Sequence, residues 1–206
     1  VDLIYGAPGE TMGQWRRSVD AALALEPDHV SAYALTVEPG TRMGAQAARG
    51  RIRLPDPDEL ADKYEAADEA LTASGYRWYE ISNWARPGRE GRHNAVYWRS
   101  GNWWGYGPGA HSHINGTRFW NVKHPLAYAR RIGAGETLTA AERRREDVML
   151  GIRLREGIEV PQGAGPLVAR FADDGLVDPD RAAGGRLVLT RKGRLLADSV
   201  TRDLWA

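Results

Sequence analysis

Two histidine-bearing segments hold most of the side chains that could carry chemistry. The first is Arg92-His93-Asn94-Ala95-Val96-Tyr97-Trp98. A neutral imidazole is the commonest protein ligand for iron and other borderline metals, including the axial position of a porphyrin. The adjoining Tyr97 and Trp98 would offer flat apolar surface to such a ligand. A structural histidine in a hydrogen-bonded turn fits the same residues, and on composition alone that reading is the stronger. The second segment is Gly105-Tyr106-Gly107-Pro108-Gly109-Ala110-His111-Ser112-His113. Its glycines would let backbone amides approach a ligand closely, and in an extended chain His111 and His113 share a face. Two histidines without carboxylate or thiolate partners of known spacing are weak grounds for a metal site, and a tight turn in a strand explains the segment equally well.

Two further positions deserve the same double reading. Tyr5-Gly6-Ala7-Pro8-Gly9 follows an opening strand in which Asp2 and Ile4 share one face, and α/β sheets bind ligands at such strand ends. A plain strand-to-helix turn with a nearby capping carboxylate also fits. Glu80, in Tyr79-Glu80-Ile81-Ser82-Asn83, is an acid in a buried-strand context, which is costly unless it is partnered.

The elements that must position these groups fall into two styles. Asp2-Leu3-Ile4-Tyr5 reads as a strand, Thr11 with Gln14 as a capping box opening a helix to about Leu25, and His29 to Thr36 as a second strand. A polar, Gly-rich stretch runs to about Leu54. Asp56-Pro57 then has cap and first-turn character, and Leu60, Tyr64, Ala67 and Leu71 make one apolar helix face ending at Gly75. With Tyr76 to Ile81 as a third strand, the alternation predicts parallel pairing in an α/β layer. Residues Asn83 to Asn121 show no clean period and read as functional loops or irregular strands. Helices over Pro125–Ile132, about Ala140–Arg155 and Pro166–Asp173 follow. A hairpin is expected between Gly175–Val177 and Arg186–Thr190, and then one last helix. These predict a small winged-helix-like domain over 122–206, after an α/β region over 1–121.

Composition narrows the function classes. The 206 residues are 42% hydrophobic and 27% charged with a formal charge of +1, an ordinary globular balance without a polyanion-binding signal. The basic residues opening the last helix (Arg191, Lys192, Arg194) are surrounded by aspartates, so nucleic-acid binding is not expected. Zero cysteines remove disulfides, zinc–thiolate sites, cysteine nucleophiles and thiolate-held clusters together. No apolar run reaches the roughly 18 residues a bilayer span needs. The chain opens directly in a strand without a lead-in, which reads as a chain cut inside a domain. Eight tryptophans and eight tyrosines against two phenylalanines favour aromatics with a polar handle.

Seven blocks, in order, resemble the coproporphyrinogen-oxidase-like radical SAM proteins. They are Asp2–Gly6, His29–Tyr33, Glu38–Thr41, Tyr79–Asn83, Arg92–Trp98, Gly105–Ser112 and Met149–Leu154. Within that family, His93-Asn94-x-x-Tyr97-Trp98 is similar to the motif that marks the heme chaperones of the HemW type. The resemblance implies that His93 takes part in heme binding, with Asn94, Tyr97 and Trp98 shaping the site. It reverses the weighting that composition alone gives this segment. It also implies that Asp2, Ile4, the strand end at Thr36 and the Gly-rich block at His111 form the later part of an S-adenosylmethionine site.

The implied fold is the later part of a partial (β/α) radical SAM barrel followed by the small helical, winged-helix-like domain. The family's three-cysteine cluster block would lie upstream, so the [4Fe–4S] cluster and full S-adenosylmethionine binding belong to a longer parent, and this chain is expected to have neither metal ligands nor catalytic residues of its own. Ala7 and Glu10 depart from the Leu and Gln of the family turn, and the Ala7 change removes apolar volume from an expected core edge. The function implied is a cytoplasmic heme chaperone that delivers heme to a respiratory or other hemoprotein, with peripheral membrane contact through that acceptor and a homodimer as an option. The alternatives are an oxygen-independent coproporphyrinogen III oxidase, or a non-catalytic module that binds protein or nucleic acid.

Overall fold

The computed structural model describes residues 1–128 and 131–205. They fall into two compact units, residues 1–90 and 91–206. The division comes earlier than the expected boundary at 121/122. The reason is a sheet, described below, that joins residues on both sides of that boundary.

The first unit runs β1 (Asp2–Tyr5), α1 (Met12–Leu23), β2 (His29–Ala34), α2 (Arg42–Ala48), α3 (Pro57–Ala73), β3 (Arg77–Glu80) and β4 (Asn83–Ala85). Its helix starts are written locally. The Thr11 hydroxyl accepts from the Gln14 amide while the Gln14 side chain accepts from the Thr11 amide, closing the capping box. Asp56 accepts from the Glu59 amide with Pro57 in the first turn. Helix α2 lies inside the polar, Gly-rich stretch, and Thr41, whose hydroxyl accepts from the Gly44 amide, is its start signal.

The sheet order is β1-β2-β4-β3, and only β1 and β2 are parallel. The all-parallel expectation is corrected by β4, which pairs antiparallel with both β2 and β3. Only Ile81 and Ser82 separate β3 from β4, and so short a connection permits only an antiparallel return. One face of the sheet carries the core, where Val30, Ala32 and Trp84 meet Trp15, Val19, Tyr64, Ala67 and Leu71 of α1 and α3. The polar handles of Trp15, Trp84 and Tyr64 are engaged. Trp15 donates to the Lys63 carbonyl at 2.7 Å, Trp84 to Asp68 at 2.8 Å, and Tyr64 to the Ile81 carbonyl at 2.8 Å. Each ring therefore buries apolar area without leaving a donor unpaired. Burial pushes the Tyr5 hydroxyl up to about 12.

The second unit contains α4 (Arg92–Trp98), β5 (His111–Ile114), β6 (Thr117–Asn121), α5 (Pro125–Tyr128), β7 (Ile132–Thr137), α6 (Ala140–Gly151), β8 (Ile158–Glu159), α7 (Gly165–Asp173), α8 (Pro179–Ala183), β9 (Arg186–Leu187), α9 (Arg191–Leu195) and α10 (Ala197–Trp205). Strands β5, β6 and β7 form an antiparallel sheet in that order. Its first turn is Asn115-Gly116, both at positive φ, as a two-residue hairpin of the primed type requires. Of the helix expected over Pro125–Ile132, Pro125–Tyr128 is helical, Ala129 and Arg130 lie outside the described residues, and Ile132 belongs to β7.

Further along, the expected hairpin forms through Val177 bridged to Leu189, with the Asp178 amide on the Val188 carbonyl. Its connection holds α8, and β9 pairs also with β8, which carried no sequence signal. The single last helix is two, α9 and α10, separated at Leu196. Arg194 is buried and Lys192 donates to the Asp174 carbonyl at 2.8 Å, so two of the three basic residues there are tied to the fold.

Half-buried His29 bonds the Tyr79 hydroxyl through Nε2 at 2.8 Å, and burial holds its pKa below the ordinary 6.5. A base with a depressed folded pKa binds fewer protons folded than unfolded. The stability it contributes is present above pH 6.5 and is lost as pH falls. The melting temperature of the natural chain should drop more than that of His29→Gln between about pH 7 and pH 5. Parallel curves would remove His29 from the acid response.

Candidate heme-motif site and relatives of the chain

Helix α4 gathers the motif residues onto one short element. Its N-cap is Gly91, which offers no side-chain cap, so the helix depends on what surrounds it. His93 and Tyr97 are one turn apart and therefore neighbours. His93 Nε2 lies 2.9 Å from the Tyr97 hydroxyl, and the two rings meet edge to face at 5.1 Å. His93 is exposed and Tyr97 half-buried. Asn94 and Trp98 are also half-buried, and the Trp98 indole nitrogen is buried with no hydrogen-bond partner among the described residues.

The C-terminal end of α4 is fixed in detail. The Gly101 amide bonds the Val96 carbonyl at 2.8 Å, and Ser100 takes the left-handed conformation that ends a helix. Ser100 is not glycine, and its hydroxyl donates to Asp147 of α6 at 2.7 Å, which ties the helix end to the next layer.

From Tyr97 a line of rings continues into the sheet. Tyr97 meets Trp103 at 4.8 Å, and Trp103 meets His113 at 4.8 Å. Trp103 and His113 also exchange both backbone hydrogen bonds, at 2.9 and 3.0 Å. His113 is buried, with Nδ1 at 2.8 Å from the Gly101 carbonyl, and its position is thereby set from three sides. Trp103 gave no signal in the sequence beyond being aromatic, although it connects the motif helix to β5.

His111 and His113 do share a face of β5, but their surroundings differ. His111 is exposed and stacks on Trp120 at 5.4 Å, whereas His113 is packed under Trp103. Among the described residues no group of three or more His, Cys, Asp or Glu is placed to hold a metal.

One glycine of this block has a steric role. Gly105 is glycine because a Cβ there would sit 2.1 Å from the His111 carbonyl. Its amide donates to the Ser112 hydroxyl at 2.9 Å, and Asn121 donates to the carbonyls of Gly105 and Gly107. The loop folds onto its own strand.

In the first unit, Asp2 and Ile4 alternate on β1, and both are exposed on the face away from the core. They pair across the sheet with Ser31 and Tyr33, and Thr36 is exposed two residues beyond β2. Glu80 is buried and partnered, accepting a short hydrogen bond from Asn83 and one from the Ser82 amide at 3.4 Å.

The departures in the first turn are now explained in part. Glu10 accepts from the Gly6 amide at 2.8 Å and pairs at 3.0 Å with Lys63, whose side chain is buried. Ala7 is exposed beside a cavity of about 380 Å³ that Glu10 and Lys63 also line, so the expected core edge is corrected to surface. A cluster held by thiolates does not fit this chain, which has no cysteine.

With this geometry in hand, likeness to known proteins is specific. The chain is 51% identical over 215 residues to a Mycobacterium tuberculosis protein named heme chaperone HemW, covering 99% of the chain and 54% of that protein. A Bacillus subtilis heme chaperone HemW is 34% identical across 97% of the chain and 57% of that protein. The chain belongs to the HemW family. No family model matches it. Among solved structures, one described as coproporphyrinogen III oxidase (HemN) from Escherichia coli, a radical SAM enzyme, superposes with a TM-score of 0.72. It is 23% identical and covers 98% of this chain and 53% of that one, a likeness of fold. The chain thus spans about half the length of the HemW proteins it matches.

Gly105→Ala should lower stability by about 1–3 kcal/mol through forced displacement of the His111 backbone. Gly165→Ala, in a helix with open space around it, should leave stability equal or slightly higher. Urea midpoints of the two variants check the contrast.

Proposed function

We propose that the protein to which this chain belongs binds heme through the α4 segment and hands it to acceptor hemoproteins. The observation that carries this reading is the exposed imidazole of His93, backed by Tyr97 on a helix of a chain that belongs to the HemW family. An exposed imidazole supplies a nitrogen lone pair to iron, and the ring surfaces of Tyr97 and Trp98 offer contact for a porphyrin edge or face. Asn94, beside His93, would contribute polar contact to the cargo.

The four-stranded sheet is read as the later part of a partial (β/α) barrel, and the last 85 or so residues as a winged-helix-like appendage. By family resemblance, Asp2, Ile4 and Thr36 of the first unit and, separately, His111 of the second are assigned to S-adenosylmethionine binding, and each is exposed within its own unit. In the longer protein that ligand would come with the [4Fe–4S] cluster, whose ligands this chain does not supply. The acceptor would be a respiratory or other hemoprotein met at or near the membrane from the cytoplasm. Among the described residues no helix is long and apolar enough to cross a membrane.

Hemin titration followed by absorbance tests the site. The natural chain should give a saturable Soret shift, and His93→Ala should lose most of it. Equal spectra for the two would remove His93 as the iron ligand.

A further inference from the structure

The contact between His93 and Tyr97 has a chemical consequence for that reading, on which the following inference rests. An imidazole has two nitrogens, and in the neutral ring one carries the proton and the other a lone pair. The nitrogen facing the Tyr97 hydroxyl is Nε2, at 2.9 Å. It is the outer nitrogen, the one set farthest from the helix backbone and so the better placed for a bulky porphyrin. When Nε2 accepts from the tyrosine O–H, the ring proton sits on Nδ1. The lone pair that iron would take is then already engaged by the hydroxyl.

The tyrosine is not free to swing away. Its ring is held against Trp103 at 4.8 Å, Trp103 against His113 at 4.8 Å, and His113 is buried with Nδ1 on the Gly101 carbonyl at 2.8 Å. Trp103 is further fixed by its paired backbone bonds to His113. His93, in contrast, is exposed.

We propose that the Tyr97 hydroxyl is the resting partner of His93 Nε2 and competes with heme iron for it, so that Tyr97 acts as a release latch. On loading, the iron–Nε2 bond forms and the O–H···Nε2 hydrogen bond breaks, while the Nδ1 proton stays in place and no proton leaves the ring. On unloading, the hydroxyl takes the lone pair back. The exchange lowers the net cost of releasing the cargo, which suits a protein that must give heme up. Tyr97 is here a positioning residue whose effect is on release, while its ring remains a contact surface.

The test compares the natural chain, Tyr97→Phe and His93→Ala by hemin titration and by the rate of hemin transfer to apomyoglobin. The phenylalanine keeps the ring packing on Trp103 and removes only the competing hydroxyl. It should bind hemin about fivefold tighter and transfer it correspondingly more slowly, the ratio set by one net hydrogen bond. Equal or weaker binding by Tyr97→Phe, with His93→Ala still defective, would overturn the latch and leave the His93 site standing. Unchanged binding by His93→Ala would overturn both. A second measurement needs no substitution: long-range nitrogen–proton correlation on the hemin-free natural chain should show the His93 ring protonated on Nδ1. A proton on Nε2 would overturn the latch whatever the variants do.

Discussion

The pairing of Trp103 with His113 is the constraint on which the second unit is organised. Two backbone hydrogen bonds and a ring contact join a residue of the loop after α4 to the buried middle of β5. Helix α4 has seven residues and no side-chain cap, so its own hydrogen bonds are too few to hold it in water. Its C-terminal end is instead held by Gly101 on Val96, Ser100 on Asp147 and His113 on Gly101. The exposed His93 is positioned at one remove, through Tyr97 and Trp103. Precision at the motif thus comes from the sheet rather than from the helix that carries it.

The first unit meets a related problem by other means. Its sheet is built on a core of large aromatics, several of which hydrogen-bond within the fold, such as Trp84 on Asp68. One face of the sheet is thereby committed to helices, and the other keeps Asp2, Ile4 and Tyr33 exposed. The ion pair of Glu10 with Lys63 sits where β1 gives way to α1. Burying that lysine is tolerable because its ammonium reaches both the Glu10 carboxylate and the Glu10 carbonyl.

What was legible in the sequence follows from how local each determinant is. Thr11 with Gln14, Asp56 with Pro57, and the stripe Leu60–Tyr64–Ala67–Leu71 specify their helices within a few residues, and the structure forms them there. The motif residues were legible through family resemblance, because seven ordered blocks carry more than any single spacing. The Asn115-Gly116 turn carries a strong hairpin signal, yet the surrounding Gly- and Trp-rich stretch hides the strands it joins. Strand β7, Ile132 to Thr137, is not legible at all: two of its six residues are glycine, and it exists because β6 supplies partners. The antiparallel β4 and the role of Trp103 are likewise set by contacts distant in sequence.

The same glycine-bearing strand gives the second unit an uneven hold on its own sheet. Every residue of β7 is exposed, it lies at the sheet edge, and a Cβ at Gly135 would crowd the Arg118 carbonyl. Its attachment rests on backbone hydrogen bonds open to water and on surface side-chain pairs such as Arg118 with Glu136, with little apolar burial to add cooperativity. Deuterium would therefore enter the β7 amides well before those of β5, so the sheet can shed its outer strand while the Trp103–His113 pairing stays intact.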